Sequence, residues 1–260
     1  MARERTFRTE AIVTRRVDFG EADRLLTLYS KELGKISAIA KGARKPQSRK
    51  TGHVELFMRS KFFIAKGRNL DIITQAEMID SYAPLRADLM RVTLASYVVE
   101  LLDRFTVEDD PHTGIYDLLD NTLGRLSQTD DLGLTTRYYE MHLLSLAGFQ
   151  PRLFRCVSCG TEITEQDQYF SPEMGGILCP DCRQADRRAI PVTAAAVKVM
   201  RYLQTRHWDT VKHLHLRSSL LEELERIMHQ YILYTLEREL KSVDFLHQLQ
   251  NDPSFPPGNK

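Results

Sequence analysis

Four cysteines within 27 consecutive residues constrain this chain of 260 residues more than any other feature. They fall as two pairs, Cys156-Val-Ser-Cys159 and Cys179-Pro-Asp-Cys182, with 19 residues between the pairs. Each Cys-X-X-Cys can turn both sulfurs to one side of a tight knuckle, so two of them bring four thiolates onto one tetrahedral ion. Gly160 eases the backbone reversal after Cys159. The intervening TEITEQDQYFSPEMGG is polar and glycine-bearing, which suits a short ribbon with no core of its own, stabilised by metal. Four thiolates fill a tetrahedral zinc and leave no position for a reacting water, so the expected cofactor is one structural Zn2+ per chain. An iron–sulfur cluster would use the same ligands, but nothing else in the chain points to electron transfer.

Clustered thiols of this kind more often hold metal than pair as disulfides where the surroundings are reducing, and a cytoplasmic location is the expectation. The first residues, MARERTFRTE, are charged and show no apolar leader segment, and no apolar run approaches the length of a membrane-spanning helix. At 260 residues, two or three modules are expected.

From Phe7 to Ile79, β-forming segments alternate with turn-prone ones: AIVTRRV, RLLTLYS, KISAIAK, LFMRSKFFIAK and LDIITQAEM are separated by FGEAD, ELG, KGARKPQSRK and GRN. Five strands in about 70 residues fit a small closed or partly open barrel, with the oligonucleotide-binding (OB) type one candidate among several. After Pro84 the period becomes helical. Met90, Leu94, Tyr97 and Leu101 share one face, a second helix runs from Thr113 to about Ser127, and a third passes through Tyr138, Met141, Leu144 and Ser145 to a Gly148 cap with Pro151 beyond. Beyond the cysteines, Pro191 and Thr193 open another helix. Ser219 with Glu222 forms a capping box for a long one, along which Leu220, Leu224, Ile227, Tyr231 and Tyr234 make a core-facing stripe. The expected layout is residues 1–82 as a barrel, 83–152 and 190–250 as two parts of a helical domain, 153–189 as an inserted four-cysteine ribbon, and 251–260 as a disordered tail.

The net charge of +1 hides a division: the first 80 residues hold 17 basic and 10 acidic side chains, the remainder 19 and 25. Such a split suits one domain that meets a polyanion. Between Glu32 and Glu55 there is no acidic residue, while Lys35, Lys41, Arg44, Lys45, Arg49 and Lys50 are all basic. Gly42, Pro46 and Ser48 make that stretch a loop, and cations on a loop can follow a phosphate backbone without reading bases. Arg15, Arg16 and Arg24 on the first two strands, with Lys61, Lys66 and Arg68 on the last hairpin, extend the charge around the barrel. Phe57, Phe62 and Phe63 are candidate platforms for unpaired bases, although barrel aromatics more often fill the interior.

Taken in order, EAIVTRRVDFGEADRLLTLYS, GKISAIAKGARKPQSR, LLSLAGFQPRLFRCVSCG and the CPDC pair resemble the RecO family of recombination mediators over nearly the whole chain. The resemblance implies a multidomain α+β protein: an N-terminal five-stranded OB-fold barrel followed by a helical domain with an inserted four-cysteine zinc ribbon. It further implies binding of single- and double-stranded DNA, annealing of complementary strands, and contact with single-stranded-DNA-binding protein. Cooperation with RecR in loading recombinase, and association with the nucleoid, follow from the same resemblance. Lys41, Arg44, Lys45 and Arg49 match the basic loop, and Cys156, Cys159, Cys179 and Cys182 match the zinc positions.

Catalysis is not expected, because no GxxxxGK[ST], GxGxxG, HExxH or GxSxG string is present. The acidic group Glu108, Asp109, Asp110 and His112 sits beside Pro111 in an inter-helix loop, where solvation explains it. The alternative reading is a zinc-ribbon RNA-binding adaptor of transcription or translation.

Overall fold

A computed structural model describes residues 6–48 and 50–251, and of 238–251 only the helical backbone. Arg49, the first five residues and most of the expected tail lie outside the described residues. The chain divides into two compact units, residues 1–147 and 148–260.

The first unit opens with β1 (Thr6–Phe19), β2 (Asp23–Ser30), β3 (Gly34–Ala40), β4 (Arg59–Ala65) and β5 (Asp71–Asp80). They close a barrel in the order β1-β2-β3-β5-β4, with β3 and β5 parallel and all other pairs antiparallel. This is the expected OB-fold, a five-stranded Greek-key barrel. The long β1 pairs with both β2 and β4, and a register shift between Val13 and Arg15 gives it the coil to do so. Alternation along the strands points Leu26, Leu28, Ile36, Ala38, Phe62, Ile64 and Ile73 inward. Small Ala11, Ala38 and Ala40 leave room for Phe62 and Met58.

The fourth strand starts later than expected. Phe57 adopts a left-handed backbone (φ 69°) with its ring fully buried, and its N–H donates to the Val13 carbonyl at 2.8 Å while Val13 N–H donates to Met58 at 2.9 Å. Burial of that ring holds a conformation the backbone alone would avoid, and the chain turns into β4 only after it.

Four helices complete the unit: α1 (Pro84–Ala87), α2 (Leu89–Phe105), α3 (Thr113–Gln128) and α4 (Leu132–Leu146). Asp88, His112 and Asp131 cap the last three, each side chain accepting an N–H of the first turn. The buried side of α2 is Ala95, Val98, Val99 and Leu102, so the face expected from Met90, Leu94, Tyr97 and Leu101 is displaced; Met90 is exposed, and only Leu101 of the four is fully buried. Gly148, with φ 86°, ends α4 as expected.

In the second unit β6 (Gln168–Ser171), β7 (Gly176–Leu178) and β8 (Ile190–Val192) form a sheet in the order β7-β6-β8, followed by α5 (Ala194–Thr205), α6 (Trp208–Val211) and α7 (Ser218–Asn251). Pro191 belongs to β8, where a residue without N–H suits the edge of the sheet, and Thr193 alone caps α5. Helix α7 begins at Ser218, which puts Ser219 inside the helix and not at its cap. Leu224, Ile227 and Tyr231 of its stripe are buried. The ribbon rests on this helix: the ring of Phe170 meets Tyr231 edge-on at 5.3 Å, and Tyr231 donates to the Phe149 carbonyl at 3.0 Å.

Candidate metal centre and nucleic-acid interface

Cys156 and Cys159 occupy one turn, Cys179 and Cys182 another. In the first, Gly160 N–H donates to the Cys156 carbonyl at 2.9 Å and Cys156 N–H to Thr161 at 2.8 Å, a reversal made with Gly160 at φ 78°. In the second, Cys182 N–H donates to the Cys179 carbonyl at 3.0 Å, inside a short 3-10 helix at Pro180–Ala185. The hairpin of β6 and β7 brings the two turns face to face, so that all four sulfurs lie within 4.8 Å of one another and could hold a metal ion. Cys156 is buried and Cys159 exposed, so the centre sits at the edge of the ribbon.

The thiols are electrostatically unlike. The Thr161 hydroxyl, 3.2 Å away, and its backbone N–H lower the Cys159 thiol to about 6, whereas burial and the neighbouring sulfurs push Cys179 up to about 12. Four negative sulfurs in this space repel one another, which a cation relieves. Thr161 is not signalled by the cysteine pattern; it becomes visible only once the knuckle is formed.

The cations of the barrel fall into two sets. Arg16 and Arg24 share Glu55: Arg16 bonds one carboxylate oxygen, and Arg24 lies 2.7 Å from the other. Burial and the nearby Arg24 lower the Arg16 pKa. Lys35 donates to the Asp103 carbonyl at 2.7 Å and sits 2.9 Å from its carboxylate. Lys50 reaches the Ile73 carbonyl at 3.2 Å, and its pKa falls through burial. These four are engaged inside the first unit.

Lys41, Lys45 and Arg15 are exposed and have no side-chain partner among the described residues. Arg44, also exposed, is lightly tethered, 3.4 Å from Asp18 and 3.4 Å from the Gly20 carbonyl. Their loop is itself well formed. Gly42 N–H donates to Asp23 at 2.7 Å, Arg44 N–H to Ala22 at 2.9 Å, and Thr51 to Ala43 at 2.6 Å, while Ala43 is fully buried. The loop is thus pinned beside the β1–β2 turn, with Lys41, Arg44 and Lys45 exposed on it.

Arg15 stands at the rim of a cleft of about 310 Å³ on the outer face of β1, β2 and β3, walled by Val17, Leu25, Thr27, Ser37 and, from the β4–β5 loop, Leu70. The strand 2–3 face and the loops after the first and fourth strands are where OB barrels take oligonucleotides. Its apolar walls carry no charge signal, and only the closed barrel assembles them.

Of the three phenylalanines, Phe57 and Phe62 are buried, which removes them as platforms; Phe63 points outward with the Arg8 guanidinium 5.5 Å above its ring. Lys61 is exposed, and Lys66 pairs with Asp71 at 2.8 Å. In the acidic loop, Glu108 accepts from the Ser37 hydroxyl at 2.9 Å, and Asp109 N–H donates to Lys35 at 3.1 Å. Glu108 thus braces β3, and His112 caps α3. Among the described residues no helix is long and apolar enough to cross a membrane.

The chain also matches two known family models, whose boundary falls after the barrel and not between the two compact units. Residues 1–82 match the family model described as Recombination protein O N terminal, and residues 86–244 match Recombination protein O C terminal. A protein from Roseiflexus sp. (strain RS-1) is 42% identical over 248 residues, covering 95% of this chain and 87% of that one. One from Dehalococcoides mccartyi (strain ATCC BAA-2266 / KCTC 15142 / 195) is 38% identical over 249 residues, 96% of this chain and 98% of its own length. One from Desulforudis audaxviator (strain MP104C) is 39% identical over 243 residues, 94% and 97%. All three carry the name DNA repair protein RecO.

Proposed function

The chain belongs to the RecO family of DNA repair proteins, and from that premise we propose that it is a non-catalytic recombination mediator. It binds single- and double-stranded DNA, anneals complementary strands, and helps load recombinase onto strands covered by single-stranded-DNA-binding protein, in cooperation with RecR. The observation that carries this reading is the group of exposed cations, Arg15, Lys41 and Lys45, without a partner among the described residues, around the outer face of an OB barrel.

Arg15, Lys41 and Lys45 make the phosphate contacts, with Arg44 beside them, and Arg49, which follows in the same basic stretch of sequence, adds to their charge. Arg16, Arg24, Lys35 and Lys50 support the surface from within the fold. Two phosphate backbones repel, and a cationic face that holds both lowers that repulsion, so that complementary bases meet without any covalent step.

Cys156, Cys159, Cys179 and Cys182 hold one structural zinc ion. The 3.8 Å between the Cys159 and Cys179 sulfurs fits this, since a tetrahedral ion with bonds of about 2.3 Å separates its sulfurs by about 3.8 Å. The ion would supply cohesion to the ribbon and no reactive water.

Titrating a labelled single-stranded oligonucleotide at several salt concentrations tests the binding. A logarithmic affinity that falls linearly with logarithmic salt supports the reading, and no measurable affinity at low salt contradicts it.

A further inference from the structure

The outer face of the barrel carries apolar side chains where solvent would ordinarily meet polar ones. On β1, Val17 and Phe19 lie two and four residues beyond Arg15, so all three stand on the same side of the strand. Strand pairing extends the row: Val17 faces Leu25 on β2, Leu25 faces Ile39 on β3, and Ile39 faces Ile72 on β5. Val17 is 44% exposed, Phe19 49% and Leu70, from the β4–β5 loop, 38%, so the strip is left open to solvent. A contiguous exposed apolar strip of this kind marks a contact surface.

Its surroundings say what it contacts. No carboxylate lines the cleft that Val17, Leu25 and Leu70 wall, and the one charge there is Arg15. Phe19 continues the row past the cleft to the β1–β2 turn, where its strand partner is Asp23. That carboxylate is engaged: it accepts the Gly42 N–H at 2.7 Å, which fixes the basic loop to the same end of the hairpin. Arg44 is fixed there too, by its N–H to the Ala22 carbonyl at 2.9 Å. The row thus has Arg15 at one end and an exposed ring at the other, with the loop of Lys41 and Arg44 bound to the turn that follows the ring.

This pattern selects among polyanions. A duplex presents its phosphates and keeps its base faces stacked inside, so it uses the cations but not an apolar strip. A single strand offers both, since every base has a face that stacks on an aromatic ring. On the reading of the barrel as the DNA-binding face, we propose that an unpaired base stacks on Phe19, at the end of the strip formed with Val17 and Leu25. That contact sets the preference of this face for single strands over duplex. Stacking suits annealing, because the face of the base rests on the ring while its pairing edge stays free for a complementary strand.

The test uses the full-length, metal-loaded protein and three labelled probes: oligo(dT), an abasic strand of the same length, and a blunt duplex. Because Phe19 is half exposed, Phe19→Ala should fold normally. It should lose about tenfold in affinity for oligo(dT) and nothing for the abasic strand or the duplex, and Phe19→Trp should restore the loss. The emission of the new tryptophan should be quenched by oligo(dT) and not by the abasic strand, measured against wild-type protein, whose one tryptophan is Trp208. An equal loss on all three probes would show a structural role, and no loss on oligo(dT) would leave the strip to a protein partner; either overturns the proposal. Wild-type protein that bound none of the probes at low salt would overturn the reading of the barrel itself, and the proposal with it.

Discussion

Arg59 on β4 donates from Nη1 to Asp120 on α3 at 2.9 Å, and so ties the barrel to the helix packed against it. The other side of the same guanidinium holds Glu10 on β1 at 2.8 Å, while the hydroxyl of Tyr82 bonds Asp120 and that of Tyr116 donates to Glu10 at 2.9 Å. Burial disfavours the Arg59 charge, but Asp120, Tyr116 and Glu10 outweigh it and raise its pKa. Two carboxylates and two phenols around one cation leave the guanidinium well satisfied at the seam.

Removing the cation should therefore strand both carboxylates. Arg59→Ala is expected to cost about 2 kcal/mol, below the value for a fully buried pair because each partner is about a quarter exposed. Urea denaturation checks this, and a loss under about 0.5 kcal/mol would show that packing alone holds the seam.

The tyrosines set a pH limit. Burial, followed by the Asp120 hydrogen bond at Tyr82 and the Glu10 hydrogen bond at Tyr116, raises both phenols above their usual range, and burial with Asp110 pushes Tyr29 to about 12. Because the folded pKa values lie above the unfolded ones, the contribution is fully present below about pH 10 and is lost as pH rises beyond it. Phenolate absorbance should appear in two phases, the later one coincident with loss of the circular dichroism signal. A single phase completed before unfolding would contradict this.

Gly34 is a third test. It sits at φ 68° in the β2–β3 turn, and a Cβ there would lie 2.3 Å from the Asp110 carbonyl oxygen. Gly34→Ala combines a left-handed backbone penalty with displacement of the loop that braces β3, and should cost at least about 2 kcal/mol. Thermal unfolding reads this directly, and a neutral substitution would show that the loop yields freely.

The division among the cations predicts two phenotypes. Replacing Arg15, Lys41 and Lys45 with Gln should leave the melting temperature unchanged and flatten the salt dependence of single-strand binding by about 0.7 in slope for each phosphate no longer neutralised. Lys35→Gln should act the other way, lowering stability with little effect on the slope. If Lys35→Gln alone flattened the slope while the triple variant did not, the two sets would be exchanged.

Much of this molecule is legible in its sequence, for identifiable reasons. The two Cys-X-X-Cys pairs are read directly because each knuckle is local. The strands are legible because alternation such as Leu26, Leu28 and Ile36, Ala38, Ala40 survives closure of the barrel. What is not legible depends on distance along the chain. Lys35 reads as a surface cation, but its partner Asp103 lies 68 residues away, and Glu55, which holds Arg24, lies 31 away. The helix period of α2 gives a face but not its orientation, because α1, α3 and α4, which pack against it, decide which side is covered. Phe57 reads as strand because its backbone departure is imposed by tertiary burial.

The most direct measurement of the central claim is the rate at which two complementary oligonucleotides anneal with the protein present, with and without single-stranded-DNA-binding protein, over a range of salt and with no nucleotide added. Acceleration that persists on coated strands, fades as salt rises, and falls in the Arg15, Lys41 and Lys45 variant is the predicted result. No acceleration by folded, metal-loaded protein at low salt would contradict it.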